Sequence, residues 1–293
     1  MAQNRKELIK CLQINLQHSK AATDNLMQII ATENIDITLV QEPYLYQQEI
    51  KRVSRKYRTY SHGEGKRRAA IILANNNIGA LLITQYSDKD NVLLEIQHEN
   101  EKFYAASIYM DYNATIDNDF KRIEEILTFT KGEKLIIATD SNSRSTVWHD
   151  TTTNNRGRQM EDFLASNQLH ILNEERKLTT FQSSIGESNI DLTIANNKML
   201  ANIQKWDILE EESASDHNII IFNISSHKAD GTLSEDPGQC LRIKEHQYTE
   251  FYEKFKYIIS ETNQIENRGR SYDCLDEDLN QKLKAPGTYK ISR

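Results

Sequence analysis

The chain has 293 residues, of which 38% are hydrophobic and 27% charged, with 10 Gly and 3 Pro. That suits an ordinary globular protein of one large or two small domains. No apolar run approaches the roughly 20 residues that span a bilayer, and Met1 to Lys6 leads straight into a strand-like segment, so neither a membrane span nor a signal peptide is expected. A net charge of -7 argues against a general nucleic-acid binder. Three scattered cysteines, Cys11, Cys240 and Cys274, argue against a disulfide framework or a zinc site and suit a reducing intracellular compartment.

In chain order, Leu8 to Asn15 predicts a strand, and Ser19 caps a helix to Glu33 with Leu26, Ile29 and Ile30 on one face. Ile35 to Gln41 predicts a buried strand, stopped at Glu42-Pro43. Lys51, Arg52, Arg55, Lys56, Arg58, Lys66, Arg67 and Arg68 then crowd one stretch, opposed only by Glu64 and interleaved with Tyr57, Tyr60 and His62. Such a run is either a solvated basic helix-and-loop surface or a phosphate-tracking patch. Ala69 to Ala74, Gly79 to Thr84, Val92 to Gln97 and Phe103 to Met110 predict a β-rich middle section.

Asp119 to Thr130 predicts an amphipathic helix with Phe120, Ile123, Ile126 and Leu127 inward and Gly132 as C-cap. A strand from Leu135 to Thr139 follows, then a polar loop from Ser141 to Arg156 and a helix from about Gly157 to Asn167. Further strands are expected near Thr179, Asp191, Lys205 and Ile219. The sum is an α/β fold of two mixed sheets packed face to face with helices outside. The domain should cover residues 1–224, with a Gly/Pro-containing linker over 225–243. An amphipathic helix over 244–262, with Tyr248, Phe251, Tyr252 and Phe255 at helical spacing, and a disordered tail over 263–293 complete the expectation.

Polar residues suited to hydrolysis stand where the apolar runs end. Asn15 and Glu42, closing neighbouring strands, make a hard-oxygen ligand set for Mg²⁺ or Mn²⁺, although Glu42 alone is an ordinary solvated strand end. Asp140 and Asn142 would share a face if the strand continued, Asp140 to orient or deprotonate water and Asn142 to donate to a developing oxyanion. The alternative is an Asx turn that closes the strand. Asp191 could fix the tautomer of His217 by accepting from one ring nitrogen, leaving the other to a phosphate oxygen; the alternative is a structural histidine. Ser215-Asp216-His217 is no serine-hydrolase triad, because neighbours on a strand point to opposite faces. Tyr109 offers a phosphate-binding phenol or is an unremarkable strand-end tyrosine.

Taken in order, several of these stretches carry a resemblance. They are Leu12-Gln13-Ile14-Asn15-Leu16, Val40-Gln41-Glu42-Pro43-Tyr44 and Gly65-Lys66-Arg67-Arg68-Ala69-Ala70. With them go Thr139-Asp140-Ser141-Asn142-Ser143-Arg144-Ser145 with Trp148, Asn155-Arg156-Gly157 and Leu178-Thr179-Thr180-Phe181. Ser188-Asn189-Ile190-Asp191-Leu192-Thr193 and Ser215-Asp216-His217 complete the series, which runs from about Leu8 to Ile224. The chain resembles the endonuclease/exonuclease/phosphatase superfamily, and within it the apurinic-like endonuclease domain of R1-type non-LTR retrotransposons.

The resemblance implies a four-layer α/β sandwich and a Mg²⁺-dependent endonuclease that nicks target DNA to prime reverse transcription in the nucleus. It implies Asn15, Glu42 and Asp216 at the metal and Asp140 as activator of water. Asn142 and Tyr109 would contact the scissile phosphate, and Asp191 would orient His217 against it. Lys66, Arg67, Arg68 and Arg144 are the expected DNA contacts, and a downstream reverse transcriptase the expected partner in a full-length element. Competing expectations are a phosphatase or phosphodiesterase of the same superfamily and a non-catalytic nucleic-acid-binding module.

Overall fold

The computed structural model describes residues 8–225. The expected linker, C-terminal helix and tail lie outside the described residues, except Ser225, which closes the last strand.

The elements follow one another as β1 (Leu8–Asn15), α1 (Lys20–Thr32), β2 (Ile37–Gln41), the short hairpin β3 (Leu45–Tyr46) and β4 (Glu49–Ile50), β5 (Arg58–Tyr60) and β6 (Ala69–Leu73). Then come β7 (Gly79–Leu82), β8 (Asn91–His98), β9 (Glu101–Tyr109), α2 (Asp117–Phe129), β10 (Leu135–Asp140) and α3 (Asn155–Ser166). The chain continues through β11 (Leu169–Ile171), a hairpin of β12 (Phe181–Ser183) and β13 (Gly186–Ser188), and β14 (Asp191–Asn196). It ends with α4 (Asn197–Leu200), β15 (Ile203–Ile208) and β16 (Ile220–Ser225).

Two six-stranded sheets result, in the orders β15-β16-β1-β2-β6-β5 and β11-β14-β10-β9-β8-β7. Each contains one parallel pair, β1 with β2 and β9 with β10, and both pairs lie inside their sheets. Parallel neighbours need a crossover, and α1 and α2 supply it.

The strands in between are buried on both faces, and their sequences show it. In β1, Cys11 enters the cluster between the sheets, whereas Leu12 and Ile14 pack outward with Ala22, Leu26, Ile29 and Ile30 of α1. In β10, Ile136 and Ala138 face the opposing sheet, while Leu135 and Ile137 meet Ile123 and Ile126 of α2 and Met160 and Phe163 of α3. This places a helix layer outside each sheet, the four-layer sandwich expected from sequence. Near-continuous apolar runs replace the alternation of a half-exposed strand because neither face meets water.

Several boundaries differ from expectation. The second helix begins at Asp117 and is capped at its C-terminus by Thr130, whose hydroxyl donates to the Ile126 carbonyl; Gly132, left-handed at φ +83°, comes two residues later. α3 begins at Asn155 because Asn154 caps it, accepting from the Gly157 amide at 2.7 Å. Gly157 has no alternative: a Cβ there would lie 1.9 Å from the Arg144 carbonyl oxygen. The basic stretch contains no helix; its one regular element is the edge strand β5.

Between the apolar layer and one rim of the sandwich lies a row of hydrogen-bonded polar side chains. Gln13 of β1 donates to the Thr139 and Leu192 carbonyls at 3.3 and 3.2 Å and accepts from Thr193 Oγ1 at 2.8 Å. Gln41 of β2 donates to Ser107 Oγ at 3.0 Å and to the Ala138 carbonyl at 3.2 Å, and Ser107 donates to the Val40 carbonyl at 2.8 Å. All four bridging side chains are buried, so each unmade bond would leave a dry polar atom.

Gln13→Leu keeps the volume and removes these bonds, leaving the Thr193 hydroxyl without its acceptor. The expected cost is about 1–3 kcal/mol, a fall in Tm of roughly 2–10 °C in thermal unfolding. A Tm within about 1 °C of wild type would show that the seam carries no stability.

Candidate active site

Strand register builds the site. In the second sheet Asp140, the last residue of β10, stands opposite Tyr109, the last of β9, and opposite Asp191, the first of β14. All three follow in the inward-facing rows that run through Ala138, Ser107 and Thr193. In the first sheet Asn15 ends the row Ile9-Cys11-Gln13, next to Gln41 at the end of β2. Each sheet therefore delivers its half of the site at the same rim.

Glu42 follows Gln41 with φ +45°, a left-handed residue that breaks the strand alternation. Its amide is held by the Arg68 carbonyl at 2.8 Å. His217 lies before β16 and bridges to Phe181, whose ring meets the imidazole edge-on at 4.9 Å.

The side chains join across the gap. Asn15 Nδ2 donates to Asp140 Oδ2 at 2.8 Å, and its Oδ1 accepts from the Gln17 amide at 2.8 Å. His217 Nδ1 meets both Asp191 oxygens, at 2.8 and 3.1 Å. That contact fixes the proton on Nδ1 and leaves Nε2 as the other functional nitrogen. Ligand atoms of Asp140, Asp191 and His217 lie within 4.8 Å of one another, and all three residues are buried.

Charge follows burial here. Burial, then the neighbouring Asp191, pushes the Asp140 carboxyl up to about 7, although His217 and the Asn15 amide pull the other way. Burial works against the His217 imidazolium, but contact with Asp191 outweighs it and holds the ring up to about 9. Burial also opposes the Glu42 carboxylate, yet His18, Asn15 and Lys66 together keep it below its usual range. Burial, then Glu42 and Asp140, raise the Tyr109 phenol well above the ordinary tyrosine range, so it remains a proton donor at neutral pH.

Expected residues that stand otherwise are informative. β10 stops at Asp140, and Asn142 is left-handed at φ +50°, so the two do not share a strand face. The Asx turn is what forms: the Asn142 amide approaches Asp140 Oδ1 at 3.3 Å and its side chain donates to the Met110 carbonyl at 2.9 Å. Asp216 is exposed at the rim, held by Gln17 Nε2 at 3.1 Å, while its own amide donates to Gln17 Oε1 at 3.0 Å.

Part of the basic stretch is committed to partners within the chain, while Arg55, Lys56 and Lys66 are exposed. Arg52 pairs with Asp24, Lys51 with Glu49, and Arg58 donates to the Asn75 and Ile78 carbonyls. Arg67 donates to the Gly63 and Gln48 carbonyls, and Arg68 pairs with Asp90 and Asp111. Arg144 pairs with Asp150 and remains partly exposed. Of the four expected contacts, Lys66 is the one left exposed at the rim, close enough to act on Glu42.

Three supporting residues carried no role in the sequence reading. Gln17 ties the end of β1 to the Ser215–Asp216 turn, as above. His18 donates from Nδ1 to the Pro43 carbonyl at 2.7 Å and sets Nε2 at 3.3 Å from Glu42 Oε1. Arg156, in the first turn of α3, donates to the Ser141 and Ala114 carbonyls at 3.0 Å each and so holds the turn that carries Asn142. For Arg156 the sequence signal is the motif Asn155-Arg156-Gly157.

Residues 103–221 match the family described as endonuclease-reverse transcriptase. The chain is 24% identical over 219 residues to a 115 kDa protein in the type-1 retrotransposable element R1DM of Drosophila melanogaster, covering 71% of this chain and 21% of that protein. It is 24% identical over 165 residues to the Pol polyprotein from type-1 retrotransposable element R1 of Bradysia coprophila, covering 54% of this chain and 16% of that one. This chain thus spans about a fifth or less of the length of these relatives.

Among solved structures, the endonuclease domain of TRAS1, a telomere-specific non-LTR retrotransposon, superposes with a TM-score of 0.69 at 29% identity, covering 75% of this chain and 99% of that one. The AP endonuclease LMAP from Leishmania major shares the fold at 11% identity, with a TM-score of 0.61, over 74% of this chain and 88% of its own.

The raised Asp140 carboxyl has a consequence for stability. Between the usual carboxylate pKa and about 7 the folded protein keeps a proton that the unfolded chain releases, so stability falls as pH rises through that window. Asp140→Asn removes the buried charge while keeping an acceptor for Asn15. In EDTA at pH 8 it should stabilise the protein by about 2–4 kcal/mol, a rise in Tm of roughly 4–10 °C. An unchanged or lower Tm would mean that Asp140 is well accommodated as an anion.

Proposed function

We propose that this chain is a divalent-metal-dependent DNA endonuclease of the endonuclease/exonuclease/phosphatase superfamily, which it resembles in sequence and fold. Its product is a nick whose 3′-hydroxyl primes reverse transcription of a retrotransposon. The observation that carries this reading is the buried Asp191–His217 pair set beside Asp140, all within 4.8 Å at the rim where both sheets end. A histidine oriented by one carboxylate and facing another suits attack on a phosphodiester better than it suits a structural role. The named relatives are retrotransposon proteins, which supports DNA over a small phosphoester and a reverse transcriptase as the physical partner. The work of such a nick is done in the nucleus.

The donor set fits a hard divalent cation. Glu42 remains ionised, Asn15 and Asp216 add oxygens, and the buried Asp140 carboxylate beside them is disfavoured without a compensating positive charge. Glu42, Asn15 and Asp216 are the residues that would hold it. When bound, such an ion supplies Lewis-acid stabilisation of charge on a phosphoryl oxygen.

The remaining chemistry belongs to the chain. Asp140, raised towards neutrality by burial and Asp191, is poised to take a proton from the attacking water, and the Asn15 amide aligns the oxygen facing it. His217, kept cationic by Asp191, presents Nε2 to the phosphate and stabilises the charge that builds there. Tyr109 donates its phenolic proton to a non-bridging oxygen. Asn142, whose side chain is fixed by the Met110 carbonyl, presents its remaining N–H on the same side.

Two measurements test this. Supercoiled plasmid should be nicked in Mg²⁺, left intact in EDTA, and left intact by Asp140→Ala protein that still binds DNA. Nicking by that variant at the wild-type rate would remove Asp140 from the chemistry. The second is a pH–rate profile. Because His217 holds its proton up to about 9, the rate should fall above that pH. His217→Ala should lose on the order of 10²–10⁴-fold in rate and the alkaline limb with it. An unaffected rate would return His217 to a structural role.

A further inference from the structure

We infer that Arg68 is a positioning residue that holds the Tyr109 phenol at the phosphate side of the site, and is not itself a phosphate ligand. The inference rests on the endonuclease reading for the role of the phenol, though not for the geometry. Arg68 precedes β6 in the first sheet, whereas Tyr109 ends β9 in the second. Its guanidinium lies over the Tyr109 ring, 4.6 Å from the centroid. Nε and Nη2 grip the two oxygens of Asp90 at 2.6 and 2.9 Å, and Nη1 donates to Asp111.

Asp90 also holds Tyr109 directly, since its backbone carbonyl accepts the Tyr109 amide at 2.8 Å. The ring is therefore gripped on its face by Arg68 and at its backbone by the residue that Arg68 anchors. Through its own carbonyl, Arg68 fixes the Glu42 amide as well, at 2.8 Å. One residue thus ties together both sides of the rim.

The same contacts argue against a phosphate role. A guanidinium carries five N–H donors in a fixed fork, and three of them are already given to carboxylates. Its side chain is only 17% exposed, and the Asp90 partner 7%. Turning the fork towards a phosphate would abandon a bidentate buried pair and leave the Asp90 charge uncompensated. Lysine cannot reproduce this arrangement, because an ammonium offers neither the fork nor a plane to stack on the ring.

The test uses Arg68→Lys, which keeps the charge beside Asp90, and Asp111→Asn, which removes the more exposed anchor if the lysine variant does not fold. Protein carrying 3-fluorotyrosine gives a Tyr109 resonance, assigned by its loss in Tyr109→Phe. In wild type that line should be dispersed and narrow; in either variant it should broaden or move towards free fluorotyrosine. An unmoved line overturns the inference whether or not the protein cuts DNA.

In plasmid nicking, Arg68→Lys should lower kcat on the order of 10–100-fold with little change in KM. In the Tyr109→Phe background the same substitution should cost under about 3-fold, because the group it positions is gone. Equal losses in both backgrounds, or a loss carried by KM alone, would overturn the inference in favour of a general structural or phosphate-binding role. Wild-type protein that does not nick DNA would refute the endonuclease reading, and the fluorine line would still decide whether Arg68 fixes the ring.

Discussion

Everything at the rim depends on two glutamines holding the sheets in register just below it. Gln13 reaches from β1 to the backbone of β10 and β14, and Gln41 reaches from β2 to β9 and β10. Apolar packing between sheets resists separation but is non-directional, so it fixes sliding poorly. Hydrogen bonds to particular carbonyls do fix it. This matters because neither sheet carries a complete site: Asn15, Glu42 and His217 come from one and Tyr109, Asp140 and Asp191 from the other. A displacement of about 1 Å between reacting groups can cost two orders of magnitude in rate, and the glutamine seam lies one inward position from the groups that must not move.

The same rim is built against the grain of stability. Asp140 and Asp191 are opposite one another in adjacent strands, both buried, with like charge. The fold offsets this with one cation and one amide: His217 pairs with Asp191, and Asn15 donates to Asp140. The offset is incomplete, which is why the Asp140 carboxyl moves towards neutrality and the imidazole moves away from it. Complete neutralisation would give a more stable domain with a poorer base, because a carboxylate at its usual pKa has little tendency to take a proton at pH 7.

What the sequence disclosed and what it withheld divide along a physical line. Asn15, Tyr109, Asp140 and Asp191 were legible because they end inward-facing rows of apolar strands, and strand period is a local property. The two-sheet architecture was legible for the same reason. Glu42 was placed in the chain but not in space, since it leaves its strand at a left-handed φ of +45°, whereas the Asx turn that carries Asn142 at φ +50° is one of the two readings its residues offer. A positive φ at a glutamate has no such local signal, because asparagine and aspartate, not glutamate, favour that region. Gln17 and Arg68 were opaque in another way: their partners lie 199 and 22 to 43 residues away, and only the folded chain shows that Arg68 spends its charge on Asp90 and Asp111. The cations of the basic run were visible as a list, whereas their availability is a property of tertiary structure.

That last point bears on how an acidic protein could act on the polyanionic substrate proposed for it. A net charge of -7 would repel DNA if charge acted as a sum, and eight cations in one stretch would attract it if proximity in sequence were proximity to solvent. Neither holds here. Arg52, Arg58, Arg67 and Arg68 are committed to carboxylates or carbonyls, while Lys51, Arg52, Arg55, Lys56 and Lys66 are exposed, so the stretch both braces the edge of the first sheet and presents charge. Among the described residues, Lys66 at the rim and the imidazolium of His217 are positive groups near Asp140 and Glu42, and Arg156 adds its charge there although its donors are given to Ser141, Ala114 and Asp119. Attraction concentrated at the reacting centre favours a substrate phosphate that has reached the site over one that merely lies on the surface. For the proposed endonuclease, the positive groups at this rim are those placed to act on a phosphodiester held there.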